Sequence, residues 1–330
     1  MEENLSKINI APFDDYYMVC NEGVYFKIGI LEGRILTALQ EGKTEQDILE
    51  KENLSNDDFL YILSALRENG IIGFAKKERL NILYMKIPLF KVDNLLEKIC
   101  CWIKKYNCIR VACEFGIMMC IFIGLYSIVK EFQNIFTVDS LKLPIYQYAL
   151  VYLIHFIIIF FHELGHGFAC KYFGGKVGKI GVAFIIFNPA MYCDISDIRM
   201  FKNKYKQMLC SAAGFIVNAF FIGVFSICLY FNNINFFRIM IGLNATSILI
   251  NAIPFVRLDG YWILSFGIGI SNLYHKSIKK IKHIGKRKEF QNAKDYFILG
   301  YGILNCAIIC YCCIRFVTEL LQITLKIFSV

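Results

Sequence analysis

Long apolar runs separated by short polar stretches fill the last two thirds of the chain. Five runs, near residues 109–129, 144–170, 208–231, 237–270 and 295–328, are each long enough to cross a hydrocarbon core about 30 Å thick. Pro254 and Gly260 interrupt the fourth, which is therefore not expected to be one straight helix. The fifth contains Arg315 and Glu319 and reads either as a full span or as a span followed by an interfacial turn.

The front of the chain has shorter periods. Residues 16–27 (YYMVCNEGVYFK) read as two short strands around an Asn-Glu-Gly turn, and residues 32–70 hold three helical stretches separated by EGKT and NLSND. Thr44 with Asp47 and Ser55 with Asp58 have capping-box spacing. The last of these helices sets Phe59, Ile62, Leu63 and Leu66 on one face and stops at Gly70. Residues 81–107, with Lys98, Trp102, Lys104 and Lys105, read as an amphipathic connector at a bilayer surface. Between the second and third apolar runs, GKIGVAFIIFNPAMYCDISDI reads as a β-hairpin turning near Asn188-Pro189. The expected fold is mainly α: a polytopic helical membrane bundle of about five spans with a short β-hairpin, preceded by a small α+β winged-helix-like domain. The expected divisions are 1–80, 81–107 and 108–330.

Composition agrees with a membrane reading. Of 330 residues 57% are hydrophobic and 19% charged, and the mean hydropathy is +0.49, which excludes a disordered chain and argues against an ordinary soluble globule. Residues 1–107 carry 14 Lys/Arg against 17 Asp/Glu, and the remainder 22 against 10. The excess of positive charge lies in loops between apolar runs rather than along one face, so it sets topology and does not form a nucleic-acid surface. Lys/Arg number seven in 171–206 and eight in 271–294, against two in 130–143 and one in 232–238, which places the basic loops in the cytoplasm. The opening MEENLSKINIAPFDD is acidic and lacks an apolar core, so it is not read as a signal peptide and the front domain is expected in the cytoplasm. The basic run KSIKKIKHIGKRK reads as a contact for anionic lipid. Most of the 14 cysteines lie in apolar runs and read as small buried side chains, although Cys306, Cys310 and Cys313 share a helical face open to a soft metal.

One constellation carries chemistry. FFHELGHGFACKYFGG places His162 and His166 one turn apart on one helix face, with Glu163 beside the first. Two such imidazoles can grip one zinc ion, and the adjacent carboxylate can accept a proton from a water polarised by the metal. Ionisable groups inside an apolar span are costly and tend to be kept for function. A catalytic zinc needs a third protein ligand. His155 is about two turns away, too far to share the ion. Asp194 and Asp197 lie in a loop that can approach, and Asp259 in NAIPFVRLDGYW is the better candidate, because Pro254 and Gly260 break the span there.

HELGH in one span and Asn251-x-x-Pro254-x-x-x-x-Asp259-Gly260 in a later one resemble the site-2 protease family of intramembrane zinc metalloproteases. The resemblance implies zinc held by His162, His166 and Asp259, Glu163 as general acid/base, and hydrolysis of a peptide bond. Where that family often has Gly-Pro-x-x-Asn, SAAGFIVNAF keeps Gly214 and Asn218 but has Phe215 in place of proline. Asn218 is then a hydrogen-bond donor to substrate backbone or to a developing oxyanion, or an asparagine joining two spans. His155, Asn218 and Asn251 are candidates to line a wet cavity, with Asn218 and Asn251 taken as substrate-binding. NPAMYCDISDIRMFKNKYK is similar to a bacterial subgroup, the peptide zinc metalloproteases, and an edge strand of the hairpin is expected to pair with an extended substrate.

Residues 14–75 resemble the PqqD-type domain, which binds leader peptides of ribosomally made natural products on a strand edge; the competing reading is a winged-helix module that only packs or dimerises. The expected function is intramembrane zinc-dependent peptide hydrolysis at the cell membrane, in maturation or export of a ribosomally synthesised peptide. Regulated cleavage of a membrane-anchored signalling protein is the first alternative, and a non-proteolytic peptide transport or immunity protein the second. Expected partners are a peptide or membrane-protein substrate, a leader peptide at residues 1–80 and the lipid bilayer, with no nucleic acid.

Overall fold

In a computed structural model the structure describes residues 5, 8–73, 84–135, 143–185, 188–283 and 292–328. Two compact units divide the chain, residues 1–252 and 253–330.

The first unit begins with an antiparallel sheet of β1 (Asn9–Pro12), β2 (Tyr17–Asn21) and β3 (Val24–Ile28) in that order, one strand more than the alternation in 16–27 indicates. Glu22 and Gly23 link β2 to β3 with φ of 49° and 83°, the paired positive values that a two-residue hairpin of matching twist requires. Three helices follow: α1 (Ile30–Gln40), α2 (Glu45–Glu52) and α3 (Asn56–Glu68). Thr44 forms a reciprocal capping box with Asp47, and the Ser55 hydroxyl accepts from the Asp58 N–H. Gly70, at φ 75°, ends the last helix. Val19, Ile35, Leu36, Ile48, Phe59, Leu63 and Leu66 form the core, each buried side chain worth about 1.5–3 kcal/mol. Buried Asn21 ties sheet to helix end: its Nδ2 donates to the carbonyls of Gly70, Ile71 and Gly73 at 3.2, 3.2 and 2.9 Å.

The connector is more ordered than its amphipathic pattern indicates. Residues Tyr84–Lys91 form β4, which pairs with β5 (Lys179–Ile185), itself paired with β6 (Asn188–Cys193), all antiparallel. The hairpin is thus two strands of a three-stranded sheet with β5 in the middle. Asn188 and Pro189, near which the turn was expected, are instead the first residues of β6; the boundary at residue 80 and the end of the basic run beyond 283 lie outside the described residues. Next comes α4 (Asp93–Lys105), which buries Leu96 and Cys100 while Leu95, Ile99 and Trp102 stay exposed. Asp93 Oδ1 accepts from Lys171 Nζ at 2.9 Å and from the Val177 N–H at 2.8 Å. Burial alone would raise the Asp93 carboxyl, but the Val177 N–H and the Lys171 ammonium outweigh it and hold the group below the usual carboxylate range.

Three long helices complete this unit with a fourth, shorter one: α5 (Asn107–Ile135), α6 (Ile145–Tyr172), α7 (Lys204–Phe231) and α8 (Asn235–Ala252). A short 3-10 turn at Ser196–Met200 precedes α7. Helix α7 packs against the other three. It comes close to α5 at Gly223, where a Cβ would lie within 2.0 Å of the Cys120 carbonyl oxygen. Ile158, Ile222, Phe225, Met240 and Ile241 are among the buried residues where these helices meet.

The fourth apolar run is two helices rather than one. Helix α8 stops at Ala252, two residues before Pro254, and α9 (Asp259–Ile268) begins in the second unit. Proline disfavours helix in the residue before it and removes a donor, so the break falls where expected. Helices α10 (Leu273–Lys282) and α11 (Ala293–Phe328) follow, and α11 continues through Arg315 and Glu319, which pair at 3.0 Å, without an intervening turn. Among the described residues four helices are long and apolar enough to cross a membrane: α5, α6, α7 and Ala293–Tyr311 of α11. That compares with the five runs counted in the sequence. The difference is the broken fourth run.

Candidate metal centre

Helix α6 is continuous through the HELGH segment, so its 3.6-residue period puts His162 and His166 on one buried face. Their Nε2 atoms lie 3.2 Å apart. What fixes the rings is on α7. His166 Nδ1 is 2.8 Å from the Cys210 carbonyl oxygen, and His162 Nδ1 is 3.3 Å from Asn218 Oδ1. Both partners are acceptors, so both rings carry their proton on Nδ1 and present an Nε2 lone pair. Two facing lone pairs at that separation repel unless a cation lies between them. Nitrogens bonded at about 2.0–2.1 Å to one tetrahedral zinc are themselves about 3.3 Å apart, so the donor spacing fits that ion.

Space for it is kept by a glycine. A Cβ on Gly214 would sit 2.3 Å from His162 Nε2 and 2.6 Å from His166 Nε2. Any side chain at 214 would intrude on the donor edge of both rings. The sequence retains this glycine although it lacks the neighbouring proline.

Within the second unit, the segment leading to Asp259 is braced from α11. Tyr301 donates its hydroxyl to the Pro254 carbonyl at 2.9 Å, and Asn305 Nδ2 donates to the Phe255 carbonyl at 2.9 Å. Leu258 is extended and Asp259 starts α9. Two neutral imidazoles are donors suited to zinc, which in a catalytic site takes a third protein ligand and keeps a coordination position open.

Glu163, next to His162, is held by the second sheet: the Cys193 N–H donates to its Oε2 at 2.9 Å. Asp194 exchanges bonds with Gly178 and Lys179 on the β5 side. By alternation along a strand, the Cys193 N–H therefore lies on the edge of β6 away from β5. Burial, then the charges of Glu163 and Asp194, push the Cys193 thiol up to about 12, so it stays neutral beside the carboxylate.

The remaining sequence candidates have other engagements. Asn218 is 2% exposed, and its Nδ2 donates to Ser247 Oγ at 3.1 Å, joining α7 to α8. Asn251, half-buried, turns its amide back to the Ser247 carbonyl at 3.0 Å. Asp194 accepts from the Ser196 N–H, and Asp197 accepts from the Tyr25 hydroxyl and the Lys176 N–H, so both serve the loop and the front sheet. His155 is half-buried two turns back along α6, and its Nδ1 has no hydrogen-bond partner among the described residues. The sequence reading missed Ser247, the Cys210 carbonyl and the Cys193 N–H. The last two are backbone groups, for which side-chain identity carries no signal.

Residues 136–274 match a family described as Peptidase M50B-like, of the site-2 protease type. Over 161 residues the chain is 27% identical to a Bacillus subtilis (strain 168) protein provisionally named "peptide zinc metalloprotease protein YydH". That similarity covers 47% of this chain and 63% of the relative, so the chain spans less than two thirds of it. No solved structure matches this chain. The family match takes in His162, Glu163, His166, Asn218, Asn251 and Asp259 and does not reach the front domain. The similarities are to zinc metalloproteases, and among the described residues four helices are long and apolar enough to cross a membrane.

Proposed function

We propose that this chain is an intramembrane zinc endopeptidase that hydrolyses peptide bonds in the maturation or export of a ribosomally made peptide. One observation carries the proposal: the Nε2 atoms of His162 and His166 face each other at 3.2 Å, with Glu163 one residue from the first. His162, His166 and Asp259 would hold the ion, which when bound supplies a Lewis acid that polarises the scissile carbonyl and acidifies water.

The chain's own residues do the rest. Glu163 accepts a proton from the attacking water as its oxygen bonds to the carbonyl carbon. It then delivers that proton to the leaving nitrogen as the C–N bond breaks. The Cys193 N–H orients Glu163 toward this work from the edge of β6. An extended substrate can add to that same edge, gaining backbone hydrogen bonds. The described spans bury His162 and His166 among apolar helices, which keeps bulk water from competing for them.

The front domain favours a peptide over a helical membrane substrate. Strand β3 is an edge of its sheet, and with α3 it flanks a groove of about 520 Å³ lined by Tyr25, Phe26, Ile28, Tyr61, Ile62 and Ala65. An extended leader segment would add to β3 and seat its side chains in that groove. The multi-pass arrangement with a cytoplasmic front domain follows from the Lys/Arg distribution.

The test is direct. Purified full-length protein should contain one zinc per chain and cleave a precursor peptide encoded beside it, and Glu163→Gln should keep the zinc and lose the cleavage. Metal-free wild-type protein, or cleavage unaffected by Glu163→Gln, would refute the reading.

A further inference from the structure

We propose that Ser247 is a positioning residue for the metal-binding edge of His162, acting through Asn218; the proposal rests on the zinc-protease reading above. His162 offers Nε2 to a metal only while its proton sits on Nδ1. That requires Asn218 to turn its amide oxygen, and not its NH2, toward the ring at the 3.3 Å contact. A primary amide has two orientations of nearly equal shape, so some neighbour has to select one. With the amide reversed, NH2 would donate to Nδ1, the ring proton would move to Nε2, and His162 would face the metal site with an N–H.

Ser247 supplies the selection. It sits on α8 on the far side of Asn218 and receives the Asn218 Nδ2 at 3.1 Å. A lone serine hydroxyl can donate as readily as it accepts, which alone would not choose. Asn251 adds a second donor: its Nδ2 also approaches Ser247 Oγ, at 3.4 Å, while donating to the Ser247 carbonyl at 3.0 Å. The Asn251 N–H takes one acceptor position of the hydroxyl oxygen, and with the Asn218 NH2 in the other the hydroxyl proton points away from both amides, the arrangement that keeps the Asn218 oxygen toward His162. The relay therefore runs from Asn251 through Ser247 and Asn218 to His162. It gives the two asparagines, expected from sequence to meet substrate, a task in ordering a ligand. Asn218 is too deeply buried to exchange this bond for one to water.

Zinc affinity of the full-length protein in detergent, measured by competition with a chromogenic chelator, tests the relay. Ser247→Ala should weaken zinc binding about 10- to 100-fold, the range for losing an outer partner of a ligand, and Ser247→Thr, which keeps Oγ, should restore it to within about threefold. The discriminating measurement uses an Asn218→Asp background. A carboxylate presents oxygen in either orientation, so Ser247→Ala there should cost less than about threefold. A packing defect at 247 would not depend on the residue at 218. Equal losses in both backgrounds, no loss in Ser247→Ala, or failure of threonine to restore binding would each overturn the positioning role. If Asn218→Asp does not fold, the alanine and threonine variants decide the matter between them. Wild-type protein that takes up no zinc would overturn the protease reading as well. Zinc-loaded wild type with an unresponsive Ser247→Ala would overturn this relay alone.

Discussion

Among the described residues, two three-stranded antiparallel sheets are built from opposite kinds of sequence information. The first, β1-β2-β3, is made from residues 9–28, closed by a two-residue turn and locked by Asn21 to the end of a helix that follows it. The second, β4-β5-β6, joins residues 84–91 to 179–193 across two long helices. The local sheet covers a hydrophobic core. The non-local one aims a backbone N–H at the carboxylate expected to move protons. A sheet assembled from distant segments can be placed against a site that belongs to neither segment, at the cost of being hard to read from sequence.

The largest effect expected from breaking this contrast is on the second sheet's client. Glu163→Gln should lower peptide hydrolysis by about 10²–10⁴-fold, since it removes the general base. Zinc content should stay at the wild-type value and amide exchange in residues 8–73 should not change. Next comes Gly214→Ala, whose Cβ would meet both imidazoles. Chelator competition should show zinc affinity reduced by about 100-fold or more, beyond the usual effect of an outer partner.

A perturbation of the local sheet should do the reverse. Asn21→Ala strands the carbonyls of Gly70, Ile71 and Gly73. It should destabilise the front domain by about 1–3 kcal/mol. Hydrogen exchange should quicken in residues 8–73 while zinc binding holds. Loss of zinc in this variant would mean that the two regions are coupled and the contrast is wrong.

The smallest effect concerns Asp93, at the junction between the second sheet and α4. Its folded pKa is depressed, so its contribution is complete above the unfolded carboxylate range and fades as pH falls through the lower folded value. The melting temperature of Asp93→Asn should therefore lie a little below wild type at neutral pH and meet it in acid. A gap that widened in acid would have the wrong sign.

Much of the front domain is legible from local rules. Thr44 and Ser55 cap helices as their spacing indicates, Gly70 terminates one, and Phe59, Leu63 and Leu66 face the core. β1 was missed because NIAP is too short to show an alternating pattern. In the apolar part, the break at Pro254 is legible because proline acts on its own residue and the one before. β4 was missed because YMKIPLFK mixes apolar and basic residues around a proline, which argues against a central strand as well as a helix. Its identity as a strand depends on β5 arriving beside it almost a hundred residues later.

The candidate metal site divides along the same line. The sequence by itself set two histidines one turn apart with a carboxylate beside the first, because a helix converts a four-residue spacing into a shared face with no help from elsewhere. Only tertiary structure decided which nitrogen each ring presents, because the Cys210 carbonyl and the Asn218 amide come from another helix. It alone decided that Glu163 is held by an N–H of β6 and that Gly214 leaves the donor edges clear. Ring tautomer, carboxylate orientation and open volume are properties of what surrounds a residue, and a linear spacing contains none of them.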